Sequence, residues 1–424
     1  MATADAINQV YGIIKSEPTR QFVVVSAAGK RFSEDEKITD ILLACHKEAA
    51  YTGNCKSFFK VKDRYNEIIR DLGIDLNLET VYNEIEYRIT KSLTPDYAAS
   101  RGEYLSALVV AAKLKYEFID AEGLIKFSQN GSFDAEYTND VATMKLRGKK
   151  KAVIPGFYGT LPNGEIKTFS RGGSDISGAI IARAVGANVY ENWTDVNGFM
   201  MADPRVVDKP KSIKVLSYKE LRELAYMGAN VLHPESIFPV KSAGIPINIR
   251  NTFEPDNEGT MIVPYTDRND AEIITGIAGH KGFTAILIEK SMMNSELGFC
   301  RKLLSAIENM GINIEHMPTG IDTTSVVIAD SEINGKLALL LEKIQEAVSP
   351  DDVEVFDNLS LIATVGHGMA YKAGTAGRLF TALAKGGVNI RMIDQGSSEL
   401  NIIVGVASED YEKAIKAIYN EFVR

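Results

Sequence analysis

The sequence is poor in the residues that build metal centres and disulfide frameworks. It has three cysteines, Cys45, Cys55 and Cys300, with no C-x-x-C pair, and its five histidines are scattered. This composition argues against structural zinc and is typical of a reducing compartment, so we expect a cytoplasmic protein with no metal site of its own.

Long apolar runs and an excess of positive charge are also missing. The longest apolar stretches, residues 105–112 and 283–288, are interrupted by charge well before the ~18 residues of a membrane span. Residues 1–18 do not combine a basic start with an apolar core, so we expect neither membrane insertion nor export. With 47 Lys and Arg against 56 Asp and Glu, the net charge of −9 argues against nucleic-acid binding.

Helical and strand patterns alternate over the first 264 residues. Apolar spacing of i, i+3, i+4 and i+7 predicts helices starting near Ile7 and Ile38, on either side of a β-branched strand at residues 22–26. A Pro162-Asn163-Gly164 turn predicts a hairpin further on. We predict an α/β fold with a largely parallel sheet flanked by helices.

A charged segment, residues 265–272 (YTDRNDAE), separates this region from an internal repeat. Residues 303–314 match residues 379–390 position by position, an offset of 76 (379 minus 303). Each copy has the order strand, helix, strand, strand, helix, and the first copy closes with a further strand. The predicted divisions are a domain at 1–264, a linker at 265–280, and two tandem ferredoxin-like βαββαβ modules at 281–356 and 357–424.

Two motifs in the first domain point to ligands. In residues 169–178 (FSRGGSDISG), Ser174 and Asp175 stand where a helix begins and Arg171 lies beside its free N–H groups, a combination suited to anions. The alternative is that Ser174 and Asp175 are ordinary helix caps, which leaves Arg171 unexplained. Residues 191–205 (ENWTDVNGFMMADPR) leave a strand and form a turn-rich loop, where ligands bind in open α/β sheets; alternatively this segment is only a turn and a core tryptophan.

Neither a G-x-x-x-x-G-K-[ST] nor a G-x-G-x-x-G segment occurs, so any nucleotide is bound without a P-loop or Rossmann cradle.

Five motifs instead resemble the aspartokinase family, whose members are amino acid kinases with paired C-terminal ACT domains. These are residues 100–105 (SRGEYL), 169–178, 193–205 (WTDVNGFMMADPR), 228–234 (GANVLHP) and 395–402 (QGSSELNI). The resemblance spans almost the whole chain and implies ATP-dependent phosphorylation of the side-chain carboxylate of L-aspartate, early in lysine, threonine and methionine synthesis. It implies ATP with Mg²⁺ as co-substrate and no tightly bound cofactor.

The resemblance also implies a substrate site. Its members are Ser26, Thr39, Glu103, Arg171, Ser174 and Asp175, of which Arg171, Ser174 and Asp175 are the catalytic set. Arg171 is expected to pair with the α-carboxylate of aspartate, and Glu103 with its α-ammonium. The reacting carboxylate is already ionised at neutral pH, so no general base is required. Without the resemblance, Glu103 would be interpreted as a solvated helix residue and Thr39 as a helix start.

A nucleotide site is implied in the same way. Its members are Thr194, Asp195, Met200, Arg205, Asn230 and Val231. Thr194 and Asp195 resemble the pair that meets adenosine, and Arg205 the phosphate-facing arginine. Met200 and Asn230 stand where the family often has Tyr and Lys, so we expect weaker nucleotide binding.

One family segment has no counterpart in these 424 residues. The family opens with a strand leading into Lys-Phe-Gly-Gly-(Ser/Thr)-Ser, whose lysine and glycine backbone hold the transferred phosphate, and Lys30 lies in a different loop. We expect that the start of the coding sequence has been set too late. The alternative is a catalytically impaired amino-acid sensor; a kinase for another carboxylate is disfavoured by Glu103, Arg171 and the ACT pair.

The repeated modules are expected to bind a feedback effector. The implied residues are Met292, Ser295, Gly298, Phe299, Glu315, Thr319 and Asp322. A helix start after Gly298 suits a carboxylate, and Glu315 and Asp322 suit a cationic end, which favours lysine over threonine. Paired ACT domains also imply a homo-oligomer, most simply a dimer.

Overall fold

The computed structural model describes residues 1–91, 94–170, 172–229, 231–232, 234–266 and 272–423. The chain forms two compact units, one of residues 1–199 and 231–265 and the other of residues 200–230 and 266–424. The division drawn from the sequence differs, because it assigned residues 200–230 to the first domain.

The first 263 residues contain the predicted mixture of helices and strands. In chain order they are α1 (Ala4–Ser16), β1 (Phe22–Val25), α2 (Ile38–Thr52), α3 (Phe59–Leu72), α4 (Glu79–Lys91), α5 (Pro95–Leu114), β2 (Glu117–Phe118), α6 (Ala135–Leu146), β3 (Ala152–Pro155), β4 (Tyr158–Thr160), β5 (Ile166–Thr168), α7 (Gly173–Ala184), β6 (Tyr190–Thr194), β7 (Val215–Ser217), α8 (Tyr218–Tyr226), α9 (Phe238–Ser242), β8 (Ile247–Asn251) and β9 (Thr260–Val263). The alternation is not strict, because four helices, α2 to α5, follow β1 without a strand between them. Of these elements, β7 and α8 belong to the second unit.

The first unit contains the predicted parallel strands. β3 is buried along its length and lies between β1 and β2, parallel to both. β6 pairs in parallel with β8, which pairs antiparallel with β9. The hairpin predicted at the Pro162-Asn163-Gly164 turn is confirmed as β4 and β5. Because β1 and β3 are parallel neighbours, the loops that follow them leave the sheet at the same edge.

The second unit is built on one antiparallel sheet. Its remaining elements are β10 (Gly276–Glu289), α10 (Phe299–Glu308), β11 (Thr323–Ala329), α11 (Asp330–Ile333), α12 (Leu337–Val348), β12 (Asp352–Val365), α13 (Thr375–Lys385), β13 (Ile390–Asp394), β14 (Asn401–Ala407) and α14 (Tyr411–Phe422). The five strands have the order β11-β10-β12-β14-β13.

The two modules share strands instead of following each other in simple tandem. Residues 283–289 of β10 pair with β11 and with the start of β12, whereas residues 276–281 pair with residues 360–365 at the end of β12. The register of the β10–β12 pair is irregular between Lys281 and Ala285, where one module passes into the other. The second copy of the repeat therefore takes its closing strand from residues 276–281, most of which the sequence analysis placed in a linker.

Candidate functional site

α5 carries a carboxyl group in the protein interior. The Glu103 residue is 6% exposed, and burial raises the pKa of its carboxyl group to about 7. The backbone N–H of Ala27 lies close to this carboxyl group and lowers its pKa in part, but the Oε2 atom has no hydrogen-bond partner among the described residues. A buried carboxylate is costly unless a cation pairs with it, so this position is suited to an ammonium group.

Gly102 lets two other segments approach Glu103. A Cβ atom on Gly102 would lie 2.7 Å from the Cβ of Ala27 and 3.3 Å from the Cγ2 of Ile38, so only glycine allows this packing. Ser26 precedes Ala27 at the end of β1 and is exposed, and Thr39 follows Ile38 in the first turn of α2 and is half-buried.

The start of α7 reaches the same edge of the sheet. Gly156, directly after β3, donates from its N–H to the carbonyl of Val25 over 2.9 Å. A Cβ atom on Gly156 would lie 2.8 Å from the Cα of Ser174, so α7 begins in direct contact with this backbone. Ser26, which follows Val25, and Ser174 are thus neighbours around the ends of β1 and β3.

Ser174 and Asp175 are not helix caps. The N-cap of α7 is Gly172, whose φ of 57° lies in the left-handed region and which provides no side-chain cap. Both side chains belong to the first helical turn and are half-buried. The cap alternative is therefore wrong for these two residues, whereas the anion site at this motif stays a prediction.

β6 holds Asp175 in place. The Asn192 side-chain amide donates to Oδ1 of Asp175 over 2.9 Å, and the Tyr190 hydroxyl donates to the Asp175 carbonyl over 3.1 Å. The sequence analysis missed Asn192, although an asparagine at a buried strand position is a usable signal because buried amides need partners. Of the six predicted substrate residues, Arg171 lies outside the described residues and the other five belong to the first unit.

The predicted nucleotide residues are divided between the two units. In the first unit Thr194 ends β6, its carbonyl accepting the N–H of Thr252 over 2.8 Å, and Asp195 is exposed beside it. Val231 is half-buried in that unit, and Asn230 lies outside the described residues. In the second unit Met200 is half-buried. There Arg205 is exposed and pairs with Asp203 over 2.6 Å.

Trp193, next to Thr194, is not a simple core residue. The guanidinium groups of Arg20 and Arg250 lie 5.1 Å and 4.8 Å from its ring centroid. Its indole N–H donates to Glu191, which also pairs with Arg20 over 2.6 Å. Cation–π contacts and ion pairs thus fix the end of β6 from which Thr194 and Asp195 project.

In the second unit, the predicted effector residues lie on two adjacent loops. The Asn294 N–H donates to the Ile321 carbonyl over 3.2 Å, and the Lys290 N–H to the Asp322 carbonyl over 2.8 Å. The first loop carries Met292, Ser295 and Gly298, and the second carries Thr319 and Asp322; Met292 and Gly298 have left-handed φ values of 63° and 81°.

Two further effector candidates already have partners inside the second unit. The Phe299 side chain is buried in the core of the first module, and its N–H donates to the Glu296 carbonyl over 3.2 Å. The Glu315 carboxylate accepts a hydrogen bond from the hydroxyl of Tyr226 on α8. A cationic effector at Glu315 would therefore compete with Tyr226.

The described part of the chain contains no cluster of three or more His, Cys, Asp or Glu side chains arranged to hold a metal ion. None of its helices combines the length and apolar character that crossing a membrane requires.

Comparison with known proteins gives consistent matches over the whole chain. Residues 1–251 match the amino acid kinase family and residues 362–422 match the ACT domain. The chain is 36% identical over 438 residues to aspartokinase 3 of Bacillus subtilis, covering 100% of this chain and 96% of that protein. The structure is similar to that of Clostridium acetobutylicum aspartate kinase, with a TM-score of 0.91, 49% identity and coverage of 100% and 97%. Escherichia coli aspartokinase III, solved in complex with aspartate and ADP, shares the fold at 23% identity, with a TM-score of 0.73 and coverage of 100% and 97%.

Proposed function

Because the chain belongs to the aspartokinase family, we propose that it transfers the terminal phosphoryl group of ATP to the side-chain carboxylate of L-aspartate, giving 4-phospho-L-aspartate. The observation that carries this proposal is the buried Glu103 carboxyl group, whose Oε2 has no partner among the described residues and which lies against the segment following β1. An amino-acid substrate supplies the ammonium group that this carboxylate needs.

The proposed substrate residues bind groups of aspartate that carry the opposite charge. Glu103 binds the α-ammonium, while Arg171 and the N–H groups in the first turn of α7 bind the α-carboxylate. The hydroxyl groups of Ser26 and Thr39 hold the reacting carboxylate, which attacks the phosphorus without a general base because it is already ionised. Catalysis then depends on positioning and on neutralising negative charge.

The nucleotide is proposed to bind at the end of β6. In the first unit, Thr194, Asp195 and Val231 serve the adenosine end. The resemblance also assigns Met200, Arg205 and Asn230 to the nucleotide. Mg²⁺ enters with ATP as part of the co-substrate, since this ion is held largely by phosphate oxygens and water.

The repeated modules are proposed to provide feedback control. Lysine is favoured as effector, with threonine as the alternative, because Glu315 and Asp322 offer two carboxylates to a cationic end. The same modules are the expected contact between copies in a homodimer. We also propose a role in lysine, threonine and methionine synthesis. A cytoplasmic location is proposed because the few, unpaired cysteines are typical of a reducing compartment.

Trapping of the acyl phosphate with hydroxylamine tests the activity. The assay compares L-aspartate with L-glutamate, with and without lysine, on this chain and on a version with Lys-Phe-Gly-Gly-Ser-Ser placed ahead of Met1. Hydroxamate from aspartate alone in either version supports the proposal. Aspartate binding without hydroxamate in both would favour the amino-acid sensor.

A further inference from the structure

One face of α3 lies along the segment that joins β1 to α2. We call this segment, residues 26–37, the substrate loop; all of its residues are described and none lies in a helix or strand. Three charged side chains of α3, spaced four and three residues apart and therefore on one helix face, bond to it. The pairs are Lys60 with Glu36, Arg64 with Asp35, and Glu67 with Arg31.

The middle pair differs from the other two in burial and geometry. The side chains of Arg64 and Asp35 are 4% and 8% exposed, whereas those of Lys60 and Glu36 are 45% and 59% exposed. The NH2 group of Arg64 donates to both carboxylate oxygens of Asp35, over 2.9 Å and 2.7 Å, and its NH1 group donates to the Gly29 carbonyl over 3.2 Å. This guanidinium therefore fixes two points of the substrate loop in one orientation.

Asp35 also organises the loop from within. It accepts hydrogen bonds from the Arg31 side chain, over 3.0 Å and 3.2 Å, and from the Arg31 backbone N–H over 2.9 Å. These bonds from Arg31, together with the charge of Arg64, hold the pKa of the Asp35 carboxyl group well below its usual range. Asp35 is thus ionised wherever the protein is folded near neutral pH.

The same helix supports the other side of the site. Tyr65, next to Arg64, donates from its hydroxyl to the Gly102 carbonyl over 2.7 Å. Gly102 directly precedes Glu103, and a Cβ atom on Gly102 would lie 2.7 Å from the Cβ of Ala27 at the start of the substrate loop. α3 therefore fixes both the loop that carries Ser26 and leads to Thr39, and the turn of α5 that carries Glu103.

We propose that Arg64 is a positioning residue for the amino-acid substrate. Its bonds to Asp35 and Gly29 keep Ser26 and Thr39 at the correct separation from Glu103, and so set the affinity for aspartate without touching it. A buried ion pair contributes little net stability, because desolvation of both charges offsets their attraction, so its effect lies in geometry. This inference rests on the proposed function.

The test measures aspartate and ATP binding separately by calorimetry, which does not require phosphoryl transfer. Arg64→Met should raise the Kd for aspartate by roughly tenfold or more, because a displacement near 1 Å of positioning groups has effects of this order. The Kd for ATP should change by less than about twofold, as expected for a site that does not use the loop. Arg64→Lys, which keeps the charge but not the two-pronged geometry, should lie between Arg64→Met and the wild type.

Two further variants separate positioning from folding. Arg64→Met leaves the buried Asp35 carboxylate paired only with Arg31, and the double variant Arg64→Met with Asp35→Leu removes this carboxylate. Its unfolding temperature should therefore recover in part while its Kd for aspartate stays high. Lys60→Met breaks the exposed pair on the same face and should leave both Kd values unchanged. Wild-type affinity for aspartate in a folded Arg64→Met or double variant would overturn this inference alone, whereas a wild-type chain that binds no aspartate would overturn the proposed function with it.

Discussion

The backbone N–H of Ala27 lies close to the Glu103 carboxyl group, and this contact joins the middle of α5 to the segment that follows β1. The carboxyl group is not fully satisfied, since its Oε2 has no partner among the described residues. The site is therefore built with a local deficit of positive charge that an amino-acid substrate can fill.

This deficit predicts a pH dependence of substrate binding. Burial raises the pKa of Glu103 to about 7, and an ammonium group binds only its ionised form. Affinity for aspartate should be constant near pH 8 and fall by roughly tenfold per unit below the pKa. Calorimetry in buffers of different ionisation enthalpy should detect proton release on binding near pH 6.5; no release would contradict the assignment.

The ligand-free protein should show the matching effect on stability. A raised carboxyl pKa means that the folded state holds its proton while the unfolded state ionises, so stability falls as pH rises from about 4.5 to about 7. Glu103→Gln removes this cost, which is about 3 kcal/mol at most above pH 7. The variant should therefore melt higher than the wild type at pH 8, with a smaller difference at pH 5, and should lose aspartate affinity.

Gly156 should not tolerate a methyl group. A Cβ there would lie 2.8 Å from the Cα of Ser174, so Gly156→Ala must displace the start of α7. We expect at least about a tenfold loss of hydroxamate formation. Gly12→Ala is the control, because nothing lies within 4 Å of its Cβ position in α1 and alanine there should stabilise the helix. Equal activity of the two variants would argue against the contact.

Arg205 is expected to act on the nucleotide alone. Its side chain is 86% exposed, so Arg205→Met should leave the unfolding temperature unchanged. The KM for ATP should rise by roughly tenfold, the size expected for loss of a charge-assisted phosphate contact, while the KM for aspartate stays constant. Lys214→Met, another exposed cation of the second unit, serves as the charge-matched control.

Tyr226 is expected to weaken the response to a cationic effector. Its hydroxyl donates a hydrogen bond to the Glu315 carboxylate, so Tyr226→Phe leaves that carboxylate available to a ligand ammonium. The lysine concentration giving half inhibition should fall by roughly threefold to tenfold, the range for a hydrogen bond to a charged group. Tyr137→Phe, an exposed tyrosine of α6, should have no effect. If threonine is the effector, the Tyr226 variant should leave inhibition unchanged, since threonine has no side-chain cation.

The sequence was most informative where a local pattern encodes a local structure. The structure confirms the helices near Ile7 and Ile38, the strand that begins at Phe22 and the Pro162-Asn163-Gly164 hairpin. These predictions succeed because periodicity and turn chemistry act within a few residues. The resemblance named Glu103, but not the burial that gives its carboxyl group an unusual pKa.

Contacts between segments that are distant in the sequence could not be predicted from such local patterns. Asp35 and Arg64 meet because α2 and α3 fold back on each other, and no spacing rule links a loop aspartate to a helix arginine. Residues 276–280 were placed in a linker because they follow a charged segment and their strand partner, residues 361–365, is distant in the sequence. Phe299 was named as an effector residue from its position at a helix start, whereas its apolar ring favours the core.

The shared strands β10 and β12 bear on the order in which the second unit folds. Residues 276–281 must find residues 360–365, with the whole first module in the chain between them. Closing such a long flexible segment is entropically unfavourable and slow. Once residues 285–289 have paired with residues 352–356, however, the two strands are already side by side and only a short extension of the pairing remains. Formation of the first module therefore brings residues 276–281 close to residues 360–365, so that the second module can form faster.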